Sequence, residues 1–297
     1  MIPFSKYPLK HLLINFSELY YEDYTIGMKG ISVAHEDMIG LGVAGNFAHH
    51  LEQAGELKDF ENVVTKEPDA PKGIFPFYLP RHESFLGLFP VEKETLTLPS
   101  YEANAQVEPE IAIHFKIQYD EDHKVVGLDA IAFTSFNDCT IRKEGAKKIS
   151  EKKSWSNDSK GIGHKWIPID RFSSGGIMDH YHLCSFVERD GILHTYGVDT
   201  PLIGYSYFYE KLVNWLIEKM NEQEDFGPLE DIAAHLKDCD YPHEALITIG
   251  ATAYADFGEK NYLQNADEIY VIAYDARHSQ GDLEPSDDKV ILHQKVS

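Results

Sequence analysis

Two glutamates near the middle of the chain, Glu108 and Glu110, stand two residues apart in the stretch NAQVEPEIAIHFKIQYD, residues 104–120. In a β-strand, residues i and i+2 point to the same face, roughly 6.6 Å apart along the chain. Two carboxylates placed in this way repel each other unless a positive charge lies between them. That charge can come from a metal ion or from a basic side chain; otherwise only water separates the pair.

A third carboxylate follows at the end of the next apolar stretch, where Asp138 stands in AFTSFNDCTIR. Three carboxylates that converge near strand ends form an oxygen-rich site, which suits a hard divalent cation such as Mg²⁺ or Mn²⁺. In the alternative interpretation, Glu108 and Glu110 line a solvated sheet face and Asp138 begins a turn. Spacing alone does not separate the two interpretations.

His50 is the second candidate for chemistry. It lies beside the apolar stripe of a helix predicted over residues 47–60, FAHHLEQAGELKDF, for which Asn46 is a suitable N-cap. An imidazole titrates near neutral pH and can act as a general base, although a histidine in such a place also serves as a half-buried packing residue. Gln53, three residues on, shares its helix face.

A third group of candidates lies in DHYHLCSF, where His180, His182 and Cys184 share one face of a predicted strand. Histidine and cysteine are zinc ligands, but no second pair of ligands accompanies them, so a structural role is favoured. The sequence contains no GxGxxG, GxxxxGK[ST], GxSxG or HExxH motif. This argues against the common nucleotide-binding, esterase and zincin classes.

The elements that position these residues are mostly strands. Residues 38–45, EIAIHFKIQY, VVGLDAIAFTSF, ALITIGATAYA and EIYVIAYD read as strands, and ERDG indicates a hairpin turn. The stretch YSYFYEKLVNWLIEKMNEQ predicts the main helix and LEDIAAHLKDC a shorter one. The Lys-rich residues 143–161 read as a solvated loop or a short helix. We therefore predict an α+β, mostly β fold with a few peripheral helices, in which residues 1–30 form an appendage and residues 31–297 the main domain.

Composition restricts the choice of partners. The 297 residues include 27 Lys and Arg against 49 Asp and Glu, a formal net charge of −22. Such a charge opposes binding to nucleic acid or to an anionic membrane by general electrostatic attraction. Three widely spaced cysteines favour a reducing compartment, and no apolar run reaches the length of a membrane span. Together with the absence of a signal-peptide pattern in the first residues, this predicts a cytoplasmic protein.

The order of the motifs resembles the fumarylacetoacetate hydrolase family from about residue 38 to residue 275. In that family a strand leads into N-Y-x-x-H, and E-x-E, N-D-x-x-x-R, a Trp and a Lys, and T-G-T-P follow. The matching positions are Asn46, Phe47 and His50, then Glu108 and Glu110, then Asn137, Asp138 and Arg142, then Trp155 and Lys160, then IGAT at residues 249–252.

This resemblance implies a β-sandwich or roll, commonly dimeric, that holds Mg²⁺ or Mn²⁺ through Glu108, Glu110 and Asp138. Family members act on small 2-oxo or 1,3-dioxo acids by C–C hydrolysis, decarboxylation, hydration or isomerisation. By the same resemblance His50 and Lys160 are catalytic. The implied substrate-binding residues are Asn46, Arg142, Gly250 and Thr252.

Several positions depart from the family pattern. Family enzymes often place a Glu three residues after the helix histidine, whereas this chain has Gln53, so Glu52 or Glu56 would have to take its place. Leu79 stands where the family has Lys, for which Arg81 is a possible substitute, and IGAT lacks the first Thr and the Pro of T-G-T-P. The alternative to an enzyme is therefore a non-catalytic protein of this fold that binds a small ligand or a protein partner.

Overall fold

The structure is a computed structural model and describes residues 37–297 except His49, Glu102 and Glu144. The appendage predicted for residues 1–30 lies outside the described residues. The strands of the described part are Ile39–Ala44 (β1), Gly73–Tyr78 (β2), Val91–Glu92 (β3), Thr95–Leu96 (β4), Ala105–Gln106 (β5), Pro109–Tyr119 (β6), Val125–Asn137 (β7), Thr140–Ile141 (β8), Lys160–Ile162 (β9), Ile167–Pro168 (β10), Tyr181–Arg189 (β11), Ile192–Pro201 (β12), Glu244–Thr248 (β13), Glu268–Asp275 (β14) and Lys289–Val296 (β15).

The helices are few and mostly short. The α-helices are His50–Gln53 (α1), Ser150–Lys153 (α2), Tyr209–Glu222 (α3), Ile232–Asp238 (α4) and Asp256–Lys260 (α5). Short 3₁₀ helices occupy Leu57–Phe60, Phe85–Gly87, Ile177–His180 and Leu202–Gly204. Only α3 is long, and it buries Leu212, Trp215, Leu216 and Met220 along one face, as its apolar periodicity predicts. No helix of residues 37–297, as far as these are described, is long and apolar enough to cross a bilayer.

Two sheets form the body of the fold. An eight-stranded sheet runs in the order β2-β1-β13-β6-β7-β9-β3, with β10 also paired to β7, and a five-stranded sheet runs β12-β11-β14-β15-β4. One hydrophobic cluster contains side chains from both sheets, such as Ile113 of β6, Leu183 of β11 and Val271 of β14. The predicted α+β, mostly β architecture with peripheral helices is therefore confirmed.

The hairpins follow from their turn residues. β11 and β12 pair in an antiparallel ladder that closes at Arg189 and Ile192, and the two residues between them both have positive φ, 53° at Asp190 and 75° at Gly191. Such φ values are those of the tight turns that match the twist of a hairpin, and Asp-Gly adopts them at low cost. The predicted hairpin is confirmed, and so is the pairing of β6 with β7.

The topology brings several strand ends to one edge of the large sheet. β1 and β13 are parallel and end there together, at Ala44 and Thr248. β6 is antiparallel to β13 and begins there with Pro109, while β7, antiparallel to β6, ends there at Asn137. The residues just beyond these strand ends are therefore held close together.

The helix predicted over residues 47–60 is wrong in length. The α-helical part ends after Gln53, and Gly55 follows with φ 71°, a left-handed conformation that stops a helix and that glycine adopts readily. Asn46 does not cap this helix, because its amide hydrogen-bonds to Tyr207 and Ile249 instead. A 3₁₀ turn over Leu57–Phe60 completes the segment.

Candidate active site

Glu108, Glu110 and Asp138 lie together at the shared strand edge. Glu110 is the second residue of β6, and Asp138 follows β7 directly, with its backbone N–H donating to the Glu108 carbonyl at 3.0 Å. All three side chains are buried, and each offers a carboxylate oxygen within 4.8 Å of those of the other two. The convergence predicted from spacing is present, and the solvated-face alternative is wrong because these carboxylates face the interior.

Two lysines enter the same cluster. The ammonium of Lys153, at the end of α2, lies 2.5 Å from Glu108 Oε2 and 2.7 Å from Asp138 Oδ2, and donates to the Asp138 carbonyl at 3.2 Å. Lys160, the first residue of β9, donates to Asp138 Oδ1. Both lysines are buried. A basic side chain therefore stands among the carboxylates, which is one of the three possibilities that the sequence left open.

The pKa values of the two glutamates shift in opposite directions, because cations act more strongly on Glu108 than on Glu110. Burial opposes ionisation of Glu108, but Lys153, His50 and Arg142 outweigh burial and hold its pKa well below the ordinary value. Burial, followed by the negative charge of Asp138, raises the pKa of Glu110 well above the ordinary value. Its Oε2 accepts one hydrogen bond, from the Gly250 N–H at 2.9 Å.

Arg142 is the centre of a second set of contacts. Its guanidinium donates to Glu56 Oε1 at 2.7 Å, to Gln106 Oε1 at 2.6 Å and to the Tyr254 hydroxyl at 3.0 Å, and it lies 3.1 Å from Glu108 Oε1. The Glu56 carboxylate therefore already occupies the position on this guanidinium that a substrate carboxylate would take. The substrate-binding role predicted for Arg142 stays a prediction, and it requires Glu56 to give way.

His50 is oriented by a backbone carbonyl. Its Nδ1 lies 3.0 Å from the Thr252 oxygen, which places the proton on Nδ1, and its Nε2 faces Glu108 Oε1 at 3.8 Å. The carbonyl of Thr252 thus does the work that a carboxylate three residues after the histidine does in the family pattern. Neither Glu56, which pairs with Arg142, nor the exposed Glu52 takes that place.

Gln53 holds the segment that orients His50. Its amide donates to the Tyr254 carbonyl at 3.1 Å and accepts from the Tyr254 N–H at 2.9 Å, so it binds both backbone groups of the residue two positions after Thr252. A glutamate could not make both bonds, because it has no donor when ionised. The Gln that replaces the Glu of the family pattern therefore has a role here, which is to hold the backbone of Tyr254.

The other predicted substrate-binding residues serve the scaffold. The Asn46 amide donates to the carbonyls of Tyr207 and Ile249 and accepts from the Tyr207 N–H, which uses its hydrogen-bonding capacity. Gly250 has φ 109°, and a Cβ there would stand 2.9 Å from that of Asn46, so only glycine fits this turn. Thr252 donates its N–H to the Pro109 carbonyl at 3.1 Å. Their contact with a substrate stays a prediction.

Little space adjoins the carboxylates. A cavity of about 20 Å³ touches Glu108, Glu110, His50 and Lys153, enough for one water-sized species but not for an oxo acid. A larger basin of about 410 Å³ lies farther out and is lined by Lys58, Arg142, Lys143 and Lys152, among other residues. Glu56 lines both, so its ion pair with Arg142 separates the two spaces.

Other expectations for the surroundings need correction. The prediction that residues 143–161 are solvated is wrong for Lys152, Lys153 and Lys160, whose side chains are buried on carboxylates, although the short helix is present as α2. Arg81 does not stand in for a lysine near the site, since it is exposed and its ion pair, at 3.7 Å, is with Asp37. Sequence reasoning also missed Tyr254 as a member of the cluster, and it named Glu56 only as a possible partner of His50.

The zinc alternative has no support in the described part of the chain. The side chain of His182 points to Asp199 at 3.0 Å, and Cys184 packs in a hydrophobic cluster with Tyr270 and Ile272. Among residues 37–297, within the described positions, Glu108, Glu110 and Asp138 form the one group of His, Cys, Asp and Glu side chains close enough to hold a metal ion.

The carboxylates fit a divalent ion by chemistry. Glu108 Oε1 and Asp138 Oδ2 are buried and accept no hydrogen bond, which leaves lone pairs directed into the cluster. Carboxylate oxygens are the ligands that Mg²⁺ and Mn²⁺ prefer. The donor set therefore suits such an ion, with the ammonium of Lys153 touching two of the three ligands.

Comparison with known proteins assigns the family. Residues 56–294 match the model of a family of unknown function, DUF5718, which covers most of the chain. The chain belongs to the DUF5718 family. No curated protein matches its sequence significantly.

Solved structures share the fold. The structure of Cg1458 with inhibitor has a TM-score of 0.53 at 15% identity, over 87% of this chain and 76% of that one. A protein from Yersinia pestis CO92, described as a fumarylacetoacetate hydrolase family protein, has a TM-score of 0.47 at 12% identity. The match covers 87% of this chain and 93% of the Yersinia pestis chain. The likeness to Cg1458 is one of fold alone. The Yersinia pestis protein is described as a member of the family that the motifs of this chain resemble.

Proposed function

We propose that this DUF5718 protein is a divalent-metal-dependent hydrolase or lyase that acts on a small 2-oxo or 1,3-dioxo acid. The reaction classes are C–C bond hydrolysis, decarboxylation and hydration. The observation that carries the proposal is the convergence of Glu108, Glu110 and Asp138, buried and within reach of one ion, beside an oriented His50. Mg²⁺ and Mn²⁺ are the ions that this donor set suits.

His50 is the proposed general base. Because Nδ1 donates to the Thr252 carbonyl, Nε2 is the ring nitrogen that faces the carboxylates, and in the neutral imidazole it can take a proton from a water or from the substrate. Gln53 binds both backbone groups of Tyr254 and so keeps the Thr252 carbonyl, two residues earlier, in place. The imidazole is held in a single orientation without a charged partner on its own helix.

The cations provide the remaining electrostatics. A divalent ion held by Glu108, Glu110 and Asp138 supplies Lewis-acid polarisation of the substrate's oxo group. Lys160, buried against Asp138, adds a positive charge near developing enolate charge. A substrate carboxylate that enters from the basin lined by Lys143 and Lys152 would replace Glu56 on Arg142 and open the inner cavity.

The test is turnover by the full chain. Purified protein is stripped of metal, supplied with Mn²⁺ and assayed with oxaloacetate and with an acylpyruvate. The Mn²⁺ concentration is about 1 mM, which matches the weakest dissociation constants of protein sites for hard divalent cations. We expect turnover that chelation abolishes and that His50→Ala lowers by about 100-fold or more, the usual contribution of a general base. His82→Ala, at a half-buried histidine outside the site that is hydrogen-bonded to Ser84, is the matched control and should leave activity unchanged.

Full activity of the metal-stripped protein would exclude a metal-dependent reaction. The second candidate is a non-catalytic protein that binds a small ligand or a protein partner, and the small size of the inner cavity favours it. Turnover of either acid that His50→Ala abolishes would exclude this second candidate. Binding without turnover of either acid would favour it.

A further inference from the structure

The ammonium of Lys153 is bound as a cation would be. Its Nζ has three oxygen neighbours within 3.2 Å, namely Glu108 Oε2, Asp138 Oδ2 and the Asp138 carbonyl. The side chain is buried and passes the Phe75 ring, with Nζ 5.4 Å from its centroid. Two of these contacts, to Glu108 Oε2 and to the Asp138 carbonyl, are hydrogen bonds, and the contact with Asp138 Oδ2 is an ion pair.

Two of these oxygens belong to the carboxylates that the proposed function assigns to a divalent ion. Mg²⁺ binds carboxylate oxygens at about 2.0–2.1 Å, so an ion shared by Glu108 and Asp138 would lie within the space around Lys153 Nζ. Two cations at such a distance in a buried site repel strongly. The ammonium and a divalent ion therefore exclude each other.

The charges of the cluster are already balanced. Glu108 is paired with Arg142 and Lys153, and Asp138 with Lys153 and Lys160. Glu56 is paired with Arg142 and Lys152, and Lys152 is also paired with Asp59, so four carboxylates face four cations. A divalent ion added to this set without the departure of a cation would leave excess positive charge in a buried place, which is unfavourable.

Lys153 is the cation best placed to leave. It is the last residue of the four-residue helix α2, whereas Lys160 lies within β9 and is paired to the sheet, and Arg142 has four side-chain partners. We infer that Lys153 is the resident counter-ion of the Glu108, Glu110 and Asp138 site and that a divalent ion binds there only by displacing it. This inference rests on the proposed function, since it assumes that the site takes an ion.

The first test measures Mn²⁺ binding to the full chain by the electron paramagnetic resonance of free Mn²⁺. Lys153→Met removes the charge while keeping an unbranched side chain, and Lys152→Met is the matched control, because Lys152 adjoins it but contacts Glu56 and Asp59. We expect Lys153→Met to bind Mn²⁺ at least about tenfold more tightly than the parent, within the range that residues around a metal control. Lys152→Met should bind like the parent.

The second test uses the unmodified chain, in case Lys153→Met does not fold. Lysines are acetylated with acetic anhydride with and without Mn²⁺, and the acetylated fraction at Lys153 and Lys152 is read by peptide mass spectrometry. Displacement predicts that Mn²⁺ raises the acetylation of Lys153 at least about threefold, since an exposed lysine amine is open to acetylation, while that of Lys152 stays constant.

The outcomes separate this inference from the proposed function. Equal Mn²⁺ affinity in the parent and in folded Lys153→Met, or Mn²⁺ binding without any change at Lys153, would overturn the inference and leave the ion site standing. Absence of Mn²⁺ binding in both the parent and folded Lys153→Met would overturn the inference together with the ion site.

Discussion

Buried carboxylates lie at both ends of helix α2, but only those at its C-terminal end are in contact with an ammonium group. At the end of the helix Lys153 contacts Glu108 and Asp138, and the pKa of Glu108 is held low although burial alone would raise it. At the start, Ser150 donates to Glu230 Oε1 at 3.0 Å, while Glu230 Oε2 accepts no hydrogen bond. Burial raises the pKa of Glu230 to about 7.

The difference shows what a buried carboxylate needs in order to keep its charge. Glu230 has one hydroxyl and a histidine nitrogen, that of His235, at 3.9 Å, and burial lowers the pKa of that histidine. Neither neighbour supplies a firm positive charge, so Glu230 favours the protonated form. A low dielectric makes charge costly unless an ammonium or guanidinium is in direct contact, as it is at Glu108.

Removal of Lys153 should have the largest effect on stability. Lys153→Met leaves Glu108 and Asp138 with fewer cations in a buried place, and breaking such a pair costs about 3–5 kcal/mol. Urea unfolding in the presence of a chelator measures the loss. Lys152→Met should cost less, because its partner Asp59 is half exposed. Equal costs for the two variants would show that the cluster at the end of α2 does not depend on Lys153.

Glu230→Gln should stabilise the protein in a pH-dependent way. The pKa of Glu230 lies above its ordinary value of 4.5, so the folded chain holds an extra proton and loses stability as the pH rises from about 4.5 to about 7. The variant lacks this loss and should gain up to about 3 kcal/mol relative to the parent at pH 8, and little below pH 4.5. Urea unfolding at the two ends of this range tests it. A difference that does not vary with pH would contradict the assignment.

Gln53→Ala should have the smallest of these effects on stability. It removes two hydrogen bonds, to the backbone N–H and C=O of Tyr254, worth about 1–2 kcal/mol together. If the protein has the proposed activity, turnover per folded molecule should also fall, because the Thr252 carbonyl that orients His50 is no longer held in place. Gln53→Glu, which restores the family residue, should not recover turnover, since it cannot donate to the Tyr254 carbonyl. Recovery of turnover would show that a charged partner suffices.

The fold and the acidic residues could be predicted because their signals are local. Alternating apolar residues indicate β6 and β7, and their antiparallel pairing follows from the short turn between them. Glu108, Glu110 and Asp138 then meet because the start of one strand adjoins the end of the next. The order of the motifs also predicted His50 as a site residue. His50 comes close to Glu108 because β13 lies between β1 and β6 and joins them at one edge of the large sheet.

The cations could not be predicted in the same way. Lys152 and Lys153 stand in a polar segment whose composition is typical of a solvated loop, and their burial follows from Ile149, which packs in the core beneath α2. Glu56 reaches Arg142 only because Gly55 ends α1 and turns the chain. Such placements depend on tertiary contacts. The sequence did contain one signal. If the three carboxylates are taken to be buried together, they require buried cations, and the lysines of residues 143–161, which follow Asp138 in the chain, could have been proposed for this role.

The most direct test of the ion site is Mn²⁺ binding by the parent chain and by Glu110→Ala, with Glu230→Gln as the control for a buried carboxylate outside the site. Glu110 accepts a hydrogen bond from the Gly250 N–H and Lys153 acts on it only through space, so its loss removes an ion ligand without breaking a direct ion pair. We expect one Mn²⁺ per parent chain, affinity lowered by about 100-fold or more in Glu110→Ala, and no change in Glu230→Gln. Unaltered Mn²⁺ affinity in folded Glu110→Ala would contradict the assignment of this site.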